Sequence, residues 1–169
     1  MMRLVYLLVF GLLYLLSFLP LRALYVISDG FYCMVYFLVG YRRRLVRRHL
    51  ADCFPEKDEA ERRKIERGFY HWFCDYLVET IKLFSMSERQ IRRRMVFEGH
   101  EAINADFSKG QSVGLYLGHY CNWEWITSLP LWTSPEGKCA QIYHPLENVW
   151  FDRLFLRLRE RFGAKCIPM

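Results

Sequence analysis

No two of the six cysteines lie closer than 18 residues, so the sequence holds no C-x-x-C pair of the kind that binds zinc or exchanges disulfides. Standing at 33, 53, 74, 121, 139 and 166, they read as scattered buried thiols in a reducing compartment rather than a disulfide framework. An N-x-S/T glycosylation acceptor is missing too, consistent with that compartment. No apolar run reaches the length of a clean membrane span. The longest, Leu4 to Leu19, has 16 residues and as a helix covers only ~24 Å of a ~30 Å hydrocarbon core. No A-x-A-like site follows it, which argues for a retained anchor over a cleaved signal peptide. Repeats and low-complexity tracts are absent as well.

What is present is lopsided. Of 169 residues, 53% are hydrophobic, yet 25% are charged and the net charge is +6, a mixture that excludes both a disordered chain and a multi-span transporter. The length suits one domain with a modest core. Leu4–Leu19 is bracketed by Arg3 and by Pro20-Leu21-Arg22, and a second apolar stretch, Leu24 to Tyr41, is interrupted at Asp29-Gly30. Two short, flawed segments predict a re-entrant or interfacial hairpin better than two spans. Arg42, Arg43, Arg44, Arg47 and Arg48 follow directly. A basic run alone does not tell a nucleic acid from a membrane, but its place beside the anchor favours an anionic membrane surface and marks the cytoplasmic side.

Cys53-Phe54-Pro55-Glu56-Lys57 reads as a loop before a long amphipathic helix, Asp58 to Phe84. Its expected buried stripe comprises Ile65, Phe69, Trp72, Phe73, Tyr76, Leu77, Thr80, Ile81 and Phe84, recurring at spacings of three and four. Ser87-Glu88-Arg89-Gln90 has the form of a capping box. From Met95 the texture changes. Val96–Glu98, Val113–Leu117, Cys139–Tyr143 and Ala164–Ile167 predict strands, and His100–Phe107, Asn122–Trp132 and Glu147–Phe162 predict helices between them. The alternation predicts an α/β fold: a membrane-anchoring helix or hairpin over 1–41, a basic and amphipathic helical section over 42–94, and part of a mostly parallel sheet with flanking helices over 95–169.

The stretch richest in chemistry is Gly118-His119-Tyr120-Cys121-Asn122-Trp123-Glu124. It falls where the Val113–Leu117 strand should end, at the carboxyl edge where parallel sheets place their ligands. His119 in the turn could fold back toward Glu124, whose carboxylate would fix the imidazole tautomer and stabilise its protonated form. Such a pair can take the proton of an alcohol attacking an activated acyl group. Spacing alone does not separate it from a structurally satisfied histidine, and both readings stand on the residues alone. Thiol catalysis by Cys121 is disfavoured, because two side chains that close on a tight turn point different ways.

The block Gly118-His119-Tyr120-x-Asn122-Trp123-Glu124 resembles the signature of the lipid A biosynthesis acyltransferases, a branch of the lysophospholipid acyltransferase superfamily with its His-x-x-x-x-Asp/Glu motif. The leader ending in Leu19-Pro20, the arginine-rich stretch with Cys53-Phe54-Pro55-Glu56, and Phe69-Tyr70 through Asp75, Glu79 and Lys82 are similar to further blocks of that family. The resemblance implies a glycerolipid-acyltransferase-like fold and acyl transfer from acyl carrier protein to a hydroxyl of a lipid A precursor. His119 would be general base and Glu124 its orienting partner. No metal, cofactor or covalent enzyme intermediate is implied, nor a nucleic-acid partner.

An Arg-x-Arg pair, Arg159 and Arg161, is implied to contact substrate phosphate or a developing oxyanion, and Asn122 is taken with it as a substrate-binding candidate. The helical pattern puts the two arginines on opposite rims of the stripe Phe151, Leu154, Phe155, Leu158 and Phe162, where a solvated basic face is an equal reading. Tyr143-His144-Pro145 departs from the family's Tyr-Arg-Pro and leaves the role of His144 open. Family members run considerably longer, so the chain reads as an N-terminal piece. Two alternatives stay open: an acyltransferase for another glycolipid or lysophospholipid, and a catalytically inactive membrane-binding piece. The implied location is the bacterial inner membrane, with the catalytic region on its cytoplasmic side.

The protein is therefore expected to sediment with membranes. Deleting residues 1–40 should release much of it, the remainder being held by salt-sensitive basic contacts. An intact chain that stays soluble in low salt without detergent contradicts the anchor.

Overall fold

The computed structural model describes residues 2–134 and 137–169, and of Met2 the backbone alone. In chain order the elements are α1 (Met2–Ser17), α2 (Leu21–Tyr32) running on as a π-helix (Cys33–Val39), α3 (Arg43–Cys53), α4 (Glu59–Lys82), α5 (Glu88–Arg92), α6 (His100–Ser108), a 3₁₀ helix (Trp123–Leu131), β1 (Ala140–Tyr143), α7 (Val149–Arg159) and β2 (Lys165–Pro168). Two compact units form, Leu19–Lys82 and the pair of segments Met1–Phe18 with Leu83–Met169. In the first unit α2 packs along α4, while the second groups α1 with the C-terminal segment.

In the unit Leu19–Lys82, helix continues straight through Asp29-Gly30, so the interruption of the apolar stretch does not break the helix. Asp29 points outward near His71 (3.7 Å), and a single glycine costs a helix only ~1 kcal/mol. Leu21–Val39 is thus one apolar helix of 19 residues, ~28 Å, long and apolar enough to cross a membrane. It ends where Gly40 takes the left-handed conformation (φ 64°) that a glycine adopts without strain. A second apolar helix, Arg3–Ser17, is shorter.

The long helix α4 is where it was expected, but of the expected stripe only Thr80 is buried. Glu66, Tyr70, Cys74, Val78 and Lys82, spaced by four, point into the unit, whereas Phe69 and Leu77 are exposed. The buried seam is half polar because each polar end finds a partner. Glu66, 1% exposed, accepts from Arg43 Nε (3.3 Å) and Arg47 Nε (2.9 Å). The Tyr70 hydroxyl donates to the Tyr41 carbonyl, and Lys82 Nζ donates to the Leu19 carbonyl at 3.0 Å. Alongside, Ser28 Oγ donates to Asp75 Oδ1 and Tyr25 Oη to Glu79 Oε1, each at 2.7 Å. Tyr32, Tyr36, Tyr70 and Cys74 make the apolar centre, with Val35, Val46 and Phe73 against them. Two of the five clustered arginines are therefore spent on Glu66, and the cluster is only partly available to a membrane.

In the other unit, Ser87 and Gln90 form the expected capping box. β1 and β2 pair in parallel, Ala140 opposite Lys165 through Tyr143 opposite Pro168, with α7 as the crossover and Asn148 Oδ1 capping its first turn. The other two expected strands are absent. Val96–Glu98 runs into the turn at Gly99, and Val113–Leu117 is exposed coil with Tyr116 99% accessible. Strand conformation is stable only when a neighbour takes up its N–H and C=O groups, and β1 and β2 take up each other's. The helix expected over 122–132 winds as 3₁₀. Hydroxyls of Thr127 and Ser128 bond carbonyls three residues back, and Pro130 lacks an N–H, both of which favour the tighter turn. Only Cys74 among the six free cysteines is buried, so the expectation of buried thiols fails for the exposed Cys33, Cys53 and Cys121.

Glu66→Ala should lower stability by about 1–3 kcal/mol, a loss moderated because both guanidiniums are part-exposed. A thermal melt in detergent measures it, and an unchanged midpoint contradicts the assignment. Burial, with Asp75 adjoining, pushes the Cys74 thiol above its ordinary pKa. At pH 8 a maleimide should label Cys53 and Cys121 while Cys74 resists until denaturant is added.

Candidate active site

The signature block folds as a tight reversal. Tyr120 N donates to the Gly118 carbonyl (2.9 Å), Cys121 adopts a left-handed conformation (φ 48°), and Trp123 N donates to the Cys121 carbonyl (3.1 Å). The chain then enters the 3₁₀ helix with Trp125 N on the Asn122 carbonyl (3.2 Å). His119 is left exposed on the outer side of the turn, its ring edge-on to Trp123 with centroids 4.8 Å apart.

Glu124, in the first turn of the 3₁₀ helix, goes the other way and is only 3% exposed. Both of its oxygens are engaged by one guanidinium: Arg159 Nε donates to Oε2 at 3.0 Å and Nη2 to Oε1 at 2.7 Å. Arg159 closes the last turn of α7 and lies 5.3 Å from the centre of the Phe155 ring. Planar fork meets planar carboxylate, the geometry in which a buried ion pair best offsets its desolvation. A carboxylate has about four lone-pair sites, so two remain for another donor.

Arg159 and Glu124, expected in different roles, are thus brought together. His119 and Glu124 share no hydrogen bond. Arg161 is not on the helix at all. α7 ends at Arg159, so the expected placement on opposite rims of one helix does not hold. Arg161 sits in the following turn, its Nη1 donating to the Leu83 carbonyl and its guanidinium 5.4 Å from the centre of the Phe162 ring. Asn122 is half-buried at the mouth of the 3₁₀ helix, Cys121 is exposed, and His144 is exposed just after β1. Of the expected apolar stripe, Leu154 and Leu158 on α7 and Phe162 in the turn after it are buried, and Phe151 is exposed. Among the described residues no group of three His, Cys, Asp or Glu side chains is placed to hold a metal ion.

The Glu124–Arg159 pair joins residues 35 apart and was not foreseen. The signal that could have found it is generic: a glutamate within an otherwise apolar, tryptophan-flanked segment requires a cation if it is to be buried.

The family model for bacterial lipid A biosynthesis acyltransferases matches residues 1–169. The chain belongs to that family. It is 28% identical over 126 residues to the lipid A biosynthesis myristoyltransferase of Escherichia coli (strain K12), and equally to lipid A biosynthesis acyltransferase 1 of Shigella flexneri. Each alignment covers 73% of this chain and 37% of the relative, so the chain matches well under half the length of these curated family members. No solved structure matches it.

A double-mutant cycle with Glu124→Gln and Arg159→Ala should give a coupling of about 1.5–3 kcal/mol in stability, since the carboxylate end is buried. Independent, additive losses would show that the pair carries no stability. Arg161→Ala, which removes one bond to a carbonyl, should cost about 1 kcal/mol.

Proposed function

We propose that the chain carries the base-bearing half of an acyltransferase that moves a fatty acyl chain from acyl carrier protein to a hydroxyl of a lipid A precursor. The observation that carries this reading is the fork-bound, buried Glu124 five residues after His119, in the signature block of the family to which the chain belongs. Arg159 fixes the carboxylate in one orientation while leaving lone pairs for a ring N–H of His119. The exposed His119 ring, edge-on to Trp123, turns toward Glu124 when the site is assembled. Its other nitrogen then accepts the proton of the acceptor hydroxyl as that oxygen attacks the activated acyl carbonyl. The tetrahedral intermediate expels the carrier's leaving group, and the imidazolium returns the proton to it. Asn122 and Arg161 contribute contacts to substrate. The parallel pair β1–β2 is part of a glycerolipid-acyltransferase-like sheet. Leu21–Val39 anchors the protein in the inner membrane, with the arginines after Tyr41 on the cytoplasmic side.

One observation favours a second reading, a catalytically inactive membrane-binding piece: residues 111–121, His119 among them, are exposed and unpaired with any strand. Acyl transfer measured with acyl carrier protein donor and a lipid A precursor decides between the two. An active protein should lose roughly 10²–10⁴ in turnover on His119→Ala, with donor affinity little changed, and should tolerate Cys121→Ser. No transfer by the chain, beside transfer by a full-length relative, supports the inactive reading. A dead Cys121→Ser beside an active His119→Ala overturns the mechanism.

A further inference from the structure

Away from Glu124, α1 and α7 enclose a pocket of about 360 Å³ between Arg3, Tyr6 and Leu7 on one helix and Trp150, Arg153 and Arg157 on the other. That volume lies in the lower part of the roughly 300–1,000 Å³ range of small-ligand sites. Its three guanidiniums have no carboxylate partner among the described residues. Two of them are held against rings instead, Arg153 at 5.4 Å from the centre of Trp150 and Arg157 at 5.5 Å from that of Phe10. Like charges gathered round a concavity repel one another unless an anion enters, and aromatic contacts steer them without neutralising them. Tyr6 and Trp150, whose rings are 4.8 Å apart, form the pocket's shared wall. The same two rings also border an apolar groove lined by Val5, Val9, Phe151 and Leu154.

We propose that this composite site binds an anionic phospholipid, its phosphate among Arg3, Arg153 and Arg157 and one acyl chain along the groove. A free phosphate would use the arginines alone, whereas the adjoining groove fits the other end of an amphiphile. The bilayer is also the source that α1 can reach, for Leu4, Leu8, Leu12 and Leu15 along it are all exposed. Tyrosine and tryptophan at the boundary of polar pocket and apolar groove occupy the headgroup level that amphipathic rings prefer. The site is separate from the Glu124–Arg159 pair. Arg153 and Arg157 stand one turn apart on one face of α7, and Arg159 is about 200° further round at ~100° per residue. It is independent of acyl transfer, so a chain without transferase activity should still show it.

The test uses the whole chain in nonionic detergent micelles, with tryptophan fluorescence quenched by dibrominated phosphatidylglycerol or dibrominated phosphatidylcholine. Phosphatidylglycerol should quench saturably at a concentration at least tenfold below phosphatidylcholine, and Trp150→Phe should remove that component. Arg153→Gln with Arg157→Gln should raise half-saturation more than tenfold. Arg89→Gln with Arg93→Gln, which removes the same charge from exposed positions at α5, should change it less than twofold. Equal quenching by the two lipids, a preference that survives the Arg153/Arg157 change, or quenching that persists in Trp150→Phe would each overturn the proposal. So would displacement of the lipid by inorganic phosphate at matching concentrations, which would make this a soluble-anion pocket.

Discussion

A glutamate buried to 3% exposure cannot stand alone, and the unit formed by Met1–Phe18 with Leu83–Met169 is arranged around that constraint. An uncompensated carboxylate in a low-dielectric interior costs several kcal/mol, so Glu124 is tolerable only where a cation meets it with good geometry. Arg159 does so from the last turn of α7, which obliges the crossover helix to end beside the 3₁₀ helix. The parallel pairing of β1 with β2 then fixes where α7 starts and where the chain goes after it. The unit Leu19–Lys82 obeys the same rule with different residues, since Glu66 draws Arg43 and Arg47 of α3 onto α4.

These pairings divide the basic residues by task. Arg43, Arg47 and Arg159 neutralise buried carboxylates, while Arg62 and Arg161 satisfy backbone carbonyls. The net charge of +6 therefore overstates the uniformity of the surface: part of the arginine content is internal support, and the remainder is concentrated at a few places. Membrane attraction scales with the charges near the surface at ~1 kcal/mol each, so the cluster after Tyr41 acts with its unpaired members only.

Much of the local structure was legible from sequence. The capping box at Ser87, the crossover from β1 through α7 to β2, and the helices α4 and α6 follow from periodicity and end signals. Two things were not. Burial on α4 follows a seam whose members include a glutamate, a tyrosine and a lysine, each acceptable only because a partner distant in sequence meets it, and hydropathy cannot report such a partner. Strand conformation at Val113–Leu117 is likewise a property of neighbours, and an apolar run states only that it could pair. The site was half legible. The histidine and the glutamate were picked out by type and spacing and the arginine by the family resemblance, but the glutamate's tie to the arginine rather than to the histidine depends on tertiary packing.

The left-handed residue at Cys121 gives the turn a built-in bias. An L-residue with a Cβ pays on the order of 1–2 kcal/mol to hold φ 48°, and most such positions are occupied by glycine or asparagine. Retaining a cysteine there keeps a small spring between the outward His119 and the inward Glu124. Any rearrangement that moved this residue into right-handed or extended backbone would recover that energy. It would also swing the preceding segment relative to the anchored 3₁₀ helix. Position 121 is in that sense the costly point of the turn between His119 and Glu124.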